Sequence, residues 1–216
     1  MMDEGLRGAV MERAVAAAVD LFETTDLACF LRGTRIETAE GMVAVEDLTD
    51  GMLISTMDRG LQPVLRVLSK TVGARGPLAP VRIETGVLGN DRPLLVSPHH
   101  RMLVTGWRAE ILTGEVEVLA HAIDLVDDRR VRIEPQAEVE YFHLLFDRHE
   151  IIFAEGAPTE SYHPFASDAG DVSPRTLDEI EAIFPGMGRQ FWEGTLLGGT
   201  ARPCATGAEA RLLLAA

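Results

Sequence analysis

Apolar and polar positions change rhythm twice along this chain. From about Asp3 to Glu23, the residues Val10, Ala14, Ala17, Ala18, Leu21 and Phe22 recur at the spacing of one helical face. Asp3 and Glu4 sit where acids favour a helix start, and Thr24-Thr25-Asp26 breaks the pattern. From Cys29 the texture becomes that of short strands. Arg35 to Thr38 and Met42 to Val45 flank Ala39-Glu40-Gly41, a hairpin turn in which glycine supplies the positive φ. Asp50-Gly51 marks a turn before Met52 to Thr56, and Asp58-Arg59-Gly60 marks another. Pro63 to Leu68 is strand-like, with the proline at the first residue, where a missing N–H is tolerated. Val81 to Ile83, Leu94 to Val96, Arg101 to Thr105, Arg130 to Ile133, Val139 to Phe146 and Glu150 to Ala154 continue the series, with turn-rich loops at 73–80 and 86–93. Trp107 to Val116 reads as short strand or loop, and Glu117 to Ile123 as either a short helix or a strand. Beyond Ser161 the rhythm turns helical again. Ser173 to Ile180 opens with an early proline and early acids, Pro185-Gly186 stops it, and Ala208 to Ala215 reads as a terminal helix.

Short strands with turn signals every ~8–12 residues predict a mainly β fold. No helix of βαβ length separates them, which excludes a doubly wound parallel sheet. The chain divides into an N-terminal helical segment (1–28), a β module (29–162) and a helical C-terminal extension (163–216). With 216 residues and 46% hydrophobic content it can bury a real core. The net charge of −14 argues against nucleic acid and against anionic membrane surfaces as partners. Two cysteines, Cys29 and Cys204, make no disulfide framework and fit a reducing compartment. The acids Asp3, Glu4, Glu12, Asp20 and Glu23 interrupt what a secretory signal would need, and no apolar run approaches membrane-spanning length. A cytoplasmic protein is the expectation, with export by another route left open.

The chemistry centres on Ala28-Cys29-Phe30-Leu31-Arg32-Gly33-Thr34-Arg35-Ile36. Cys29 stands at the mouth of a strand-like run. Far along the chain, Ser97-Pro98-His99-His100 follows Leu94-Leu95-Val96, and Phe142 to His149 lies in another β-rich run. A cysteine with histidines distant in sequence is the pattern of a nucleophile assembled by a fold. No Cys-x-x-Cys or His-x-x-x-His pair offers a local zinc chelate, so neither metal nor cofactor is expected. Taken in order, Cys29 with Gly33-Thr34-x-Ile36, Val43 to Leu48, Gly51, Ser97-x-x-His100 and the block ending at His149 resembles a Hint module, the self-processing domain shared by hedgehog proteins and inteins. It also resembles bacterial stand-alone Hint-domain proteins. The resemblance covers Cys29 to Tyr162.

The resemblance implies a compact, Hint-like β module and an N-to-S acyl shift, in which the Cys29 thiol attacks the carbonyl of Ala28 and turns the amide into a thioester. His100 would protonate the departing nitrogen, Ser97 would bond the strained peptide or orient His100, and His149 would assist deprotonation of the thiol. Asp147 is a further candidate, reading otherwise as a turn or surface carboxylate. His99 is expected to be exposed, and His143, His121 and His163 to be packing or surface histidines. Inteins end the module with an asparagine that cyclises, but here 153–161 contains none, and the one asparagine in the sequence is Asn90. What remains is cleavage of the thioester by water, a thiol or another acceptor nucleophile, a single-turnover event whose substrate is the chain's own upstream segment. The alternative is a catalytically silent Hint-derived interaction module.

Overall fold

The computed structural model describes residues 29–162 and 199–214. The helices expected at Asp3 to Glu23 and at Ser173 to Ile180 lie outside them, as does Ala28. The described chain is mainly β, as the strand spacing predicts, and every pairing between its named strands is antiparallel. One sheet of six strands runs in the order β11 (Val131–Ile133), β7 (Val81–Ile83), β8 (Leu94–Val96), β1 (Phe30–Leu31), β12 (Val139–Leu145) and β6 (Arg66–Val72). A second sheet of eight runs in the order β10 (Glu117–His121), β9 (Arg101–Thr105), β14 (Ala157–Glu160), β13 (Ile151–Ala154), β2 (Arg35–Thr38), β4 (Leu53–Thr56) and β5 (Gly60–Pro63), with β3 (Gly41–Ala44) paired to β2. One apolar core joins them. Phe30, Val81, Ile83, Leu94, Phe142 and Leu144 enter it from the first sheet, and Ile36, Ile54, Met102, Val118 and Ile152 from the second.

Local chemistry accounts for several elements. The β2–β3 hairpin closes through Gly41 at φ +103°, and Thr38 Oγ1 donates to the Gly41 carbonyl across the turn. Asp50 caps the start of β6, its carboxylate accepting from Val67 N at 2.8 Å. The turn between β13 and β14 puts Glu155 at φ +49°, a strained place for a residue with a side chain. Its buried carboxylate compensates by accepting from Arg35 N at 2.8 Å and from the Arg35 guanidinium, tying the turn to β2.

Some local expectations are corrected. Pro63 ends β5 instead of opening a strand. It pairs with Leu53 on an edge, where its missing N–H costs no ladder bond, and the chain bends at Val64 and Leu65 before β6. Trp107–Thr113 is a helix rather than strand or loop. Gly106 at φ +114° turns the chain into it, and Gly114 in the left-handed region ends it with its N–H on the Glu110 carbonyl. Glu117–His121 resolves to strand, paired residue by residue with β9. Ala157–Glu160, to which the sequence reading assigned no element, is an inner strand between β13 and β9. Among the described residues no helix is long and apolar enough to cross a membrane.

Residues 199–214 pack onto the β module. The chain at Cys204 forms a parallel bridge with Leu119 on β10. The helix Gly207–Leu213 follows, opened by a capping box between Thr206 and Glu209 and buried through Ala210 and Leu213 in the main core.

Candidate functional site

The register of β1 assembles the site. Phe30 pairs with Phe142 on one side and with Val96 on the other. In antiparallel strands, one step back along β1 is one step forward along each partner. Cys29 therefore lies beside both His143 and Ser97. Cys29 N donates to Ser97 Oγ at 2.8 Å, and Ser97 N donates to the Cys29 carbonyl at 2.9 Å. Cys29 Sγ stands 2.7 Å from His143 Nε2. The cysteine itself is buried, and Tyr141 packs with it in a small apolar cluster.

His143 is the residue the sequence reading passed over. It is buried rather than exposed, and more than packing, because it is the imidazole against the thiol. Its ring stacks edge-on against Tyr162, centroids 4.6 Å apart. Burial, reinforced by His100, pushes its pKa down to about 3, so the resting ring is neutral. The signal that could have found it is an imidazole in the middle of Tyr141-Phe142-His143-Leu144-Leu145-Phe146. A polar group in so apolar a run has to find a polar partner inside.

Ser97-Pro98-His99-His100 forms a β-turn with proline at its second position, closed by His100 N on the Ser97 carbonyl at 3.1 Å. The turn delivers His100 into the core edge-on to Phe30. His100 Nε2 is hydrogen-bonded to Thr159 Oγ1, and that hydroxyl donates to the Arg101 carbonyl. With its proton so engaged, Thr159 accepts, and His100 Nε2 is the donor. His99 is exposed, as its place on the turn implies, and stacks on His121.

His149 stands elsewhere in the network. Its Nε2 faces Glu160 Oε2 at 3.2 Å, and its Nδ1 accepts from Ala201 N at 3.0 Å. It is a partner of Glu160, not the imidazole beside the thiol. Glu160, which the sequence reading did not single out, is a buried anion at the end of β14. It accepts from Arg101 N at 2.8 Å and lies 3.4 Å from the Arg101 guanidinium. Burial would raise its pKa, but His149, Arg101 and His100 together bring it down to about 2. Asp147 takes the surface-carboxylate place of its alternative reading, not a place in the site. It ion-pairs with Arg59, which also holds the buried Glu150, so the structure makes it half of a peripheral clamp instead of part of the cysteine's surroundings. Among the described residues no group of three or more histidine, cysteine, aspartate or glutamate side chains is arranged to hold a metal ion.

A two-sheet β fold with a cysteine at the head of a central strand, flanked by Ser-x-x-His and a second buried histidine, defines a self-processing type of module. Residues 28–166 match the family described as Hint domain, and the chain belongs to that family. Among solved structures the chain is similar to a bacterial intein-like domain from Clostridium thermocellum, at 16% identity over 63% of this chain and 99% of that one, with a TM-score of 0.41. It is similar also to the gp41-1 intein, at 11% identity over 62% and 98%, TM-score 0.40. A DnaB intein from Synechocystis matches at 14% identity over 63% and 100%, TM-score 0.40. No curated protein matches the chain.

Proposed function

We propose that the chain is a cysteine-dependent autoprocessing module that cuts itself between Ala28 and Cys29. The observation that carries the reading is the double engagement of Cys29: its amide N–H on Ser97 Oγ and its sulfur against His143 Nε2. Nucleophile and target are neighbours in the chain, so proximity is built in. As the sulfur attacks the Ala28 carbonyl, the thiol proton passes to His143 Nε2. The C–N bond breaks, and the nitrogen leaves with a proton from the His100 imidazolium, whose Nε2 is fixed by Thr159 so that Nδ1 carries the travelling proton. One proton is taken up by His143 and one is given up by His100, so the step balances. The product is a thioester between Ala28 and Cys29 Sγ, with a free amine on Cys29.

An external acceptor then resolves the thioester. Asparagine cyclisation has no reagent here. Asn90 is structural: its side-chain amide donates to the carbonyls of Glu84 and Arg92, and its oxygen accepts from Leu88 N. Neutral hydroxylamine or excess thiol, followed by intact mass, tests the reading. Wild type releases the upstream fragment bearing the agent, and Cys29→Ala releases nothing while keeping its thermal transition. A folded Cys29→Ala that still cuts refutes the mechanism, and a wild type that thiol leaves whole favours the silent interaction module.

A further inference from the structure

The segment 199–206 reaches back to the site from outside the strands that build it. It lies on the edge strand β10, with Leu119 N donating to the Pro203 carbonyl at 2.9 Å and Ala205 N to the Leu119 carbonyl at 2.8 Å. Arg202 clamps it to Asp58 on one side and Glu117 on the other, with contacts of 2.7 and 2.5 Å. Between these anchors Ala201 gives its N–H to His149 Nδ1. That bond fills the ring's acceptor nitrogen and turns Nε2 toward Glu160 Oε2. Glu160 in turn holds Arg101 N, and the neighbouring Thr159 holds both His100 Nε2 and the Arg101 carbonyl. A continuous series of hydrogen-bonding groups thus runs from the strap to the turn that presents Ser97 and His100.

We propose that this C-terminal strap is a positioning element for the autoprocessing site, acting in cis through the Ala201 amide on His149 and through Glu160 on His100. The proposal rests on the reading that the site cuts at Cys29. It assigns no reacting atom to the strap. A tail that only caps the sheet edge would protect β10, and it would need no amide aimed at a buried imidazole. The strap also makes the extension part of the machinery, so the chemistry waits on the tail being docked.

The test compares full-length wild type, Ala201→Gly and Ala201→Pro. Glycine keeps the N–H and proline removes it. Thiol-induced cleavage is timed, and the ring-nitrogen NMR resonances of His149 and His100 are followed in the same samples. Ala201→Gly is expected to cut within about twofold of wild type with unmoved resonances. Ala201→Pro is expected to cut up to about 100-fold more slowly, since a small misplacement of reacting groups costs that much, with both rings shifted. A proline variant that cuts at the wild-type rate, or that slows with both rings unmoved, overturns the proposal. If the proline variant does not fold, Arg202→Ala loosens the strap without touching the site. It should slow the cut severalfold, and Arg202→Lys should restore part of the rate. An Arg202→Ala variant whose Ala201 amide exchanges rapidly while the cut is unchanged overturns the proposal equally. A wild type that thiol does not cut removes the autoprocessing reading and this proposal together, whereas a wild type cut no faster than Ala201→Pro removes this proposal alone.

Discussion

Replacing His143 by glutamine should change how the protein responds to mild acid. In the fold its pKa stands at about 3 against an ordinary 6.5, because burial and then His100 disfavour the charged ring. At about 1.4 kcal/mol per pKa unit, charging this ring inside the fold costs about 5 kcal/mol. The sign follows from the depressed value. Above pH 6.5 both folded and unfolded chains carry a neutral ring, and its contribution to stability is whole. Below 6.5 the unfolded chain takes up a proton that the fold refuses, so stability falls until the pH passes about 3. Between pH 7 and pH 5 the loss from this one group is about 2 kcal/mol. Glu160, whose pKa is held at about 2 against an ordinary 4.5, adds its own loss only below about 4.5. His121, also lowered by burial and then by Arg101, acts alike in both proteins and cancels. Glutamine cannot titrate but can still offer a polar group to the thiol. Urea titrations at the two pH values are the assay. The wild-type midpoint should fall by roughly 1 M more than that of His143→Gln, taking a slope of about 2 kcal/mol per molar. The variant should also cut about 10²–10⁴-fold more slowly, the usual weight of a positioned acid or base. Equal acid sensitivity in the two proteins would refute the buried neutral imidazole and the role built on it.

Three other outcomes are expected. Ser97→Ala leaves the Cys29 amide without its acceptor, which should cost about 1–3 kcal/mol and slow the hydroxylamine cut; Ser97→Thr should restore both, as read by thermal melting and product mass. Glu160→Gln breaks the buried contacts to Arg101 and His149 and should cost about 3–5 kcal/mol. That is a fall of roughly 6–20 °C in the calorimetric Tm. Asp147→Ala should leave cleavage unchanged and cost under about 1 kcal/mol in a denaturant titration, since the pair is partly exposed and Arg59 keeps Glu150.

The β character of the chain was legible because period-two runs and turn residues are local signals. Ala39-Glu40-Gly41 marks its hairpin because that turn asks for a positive φ, which Gly41 supplies. Trp107–Thr113 was not legible: Trp107 and Ile111 remain exposed, so the helix shows no apolar face to read, and its two ends are set by glycine conformations. β14 was hidden because Pro158 argues against a strand, although its neighbours Ala157 and Thr159 are buried in one. In the site, Cys29, Ser97 and His100 stood out by motif. His143 stands where His149 was expected, because what sets a residue beside the thiol is strand register across 114 positions, and no local pattern encodes register. Glu160 was invisible for a similar reason: a carboxylate near the end of a strand looks like surface until the fold buries it against Arg101.

The placing of β1 also has a consequence in time. Cys29 stands just before a strand of two residues, and both strands that flank that strand come from much later in the chain. Pairings between such distant segments form slowly, since a long loop must close before any contact rewards it. At a synthesis rate of about 5–20 residues per second, the histidine facing the sulfur is made roughly 6–23 s after the cysteine, given the 114 positions between them. Until then Cys29 is an ordinary thiol on an unfinished chain. On the autoprocessing reading proposed above, the order in which the polypeptide is made therefore acts as a delay, and the bond before Cys29 would become vulnerable only once nearly the whole module exists.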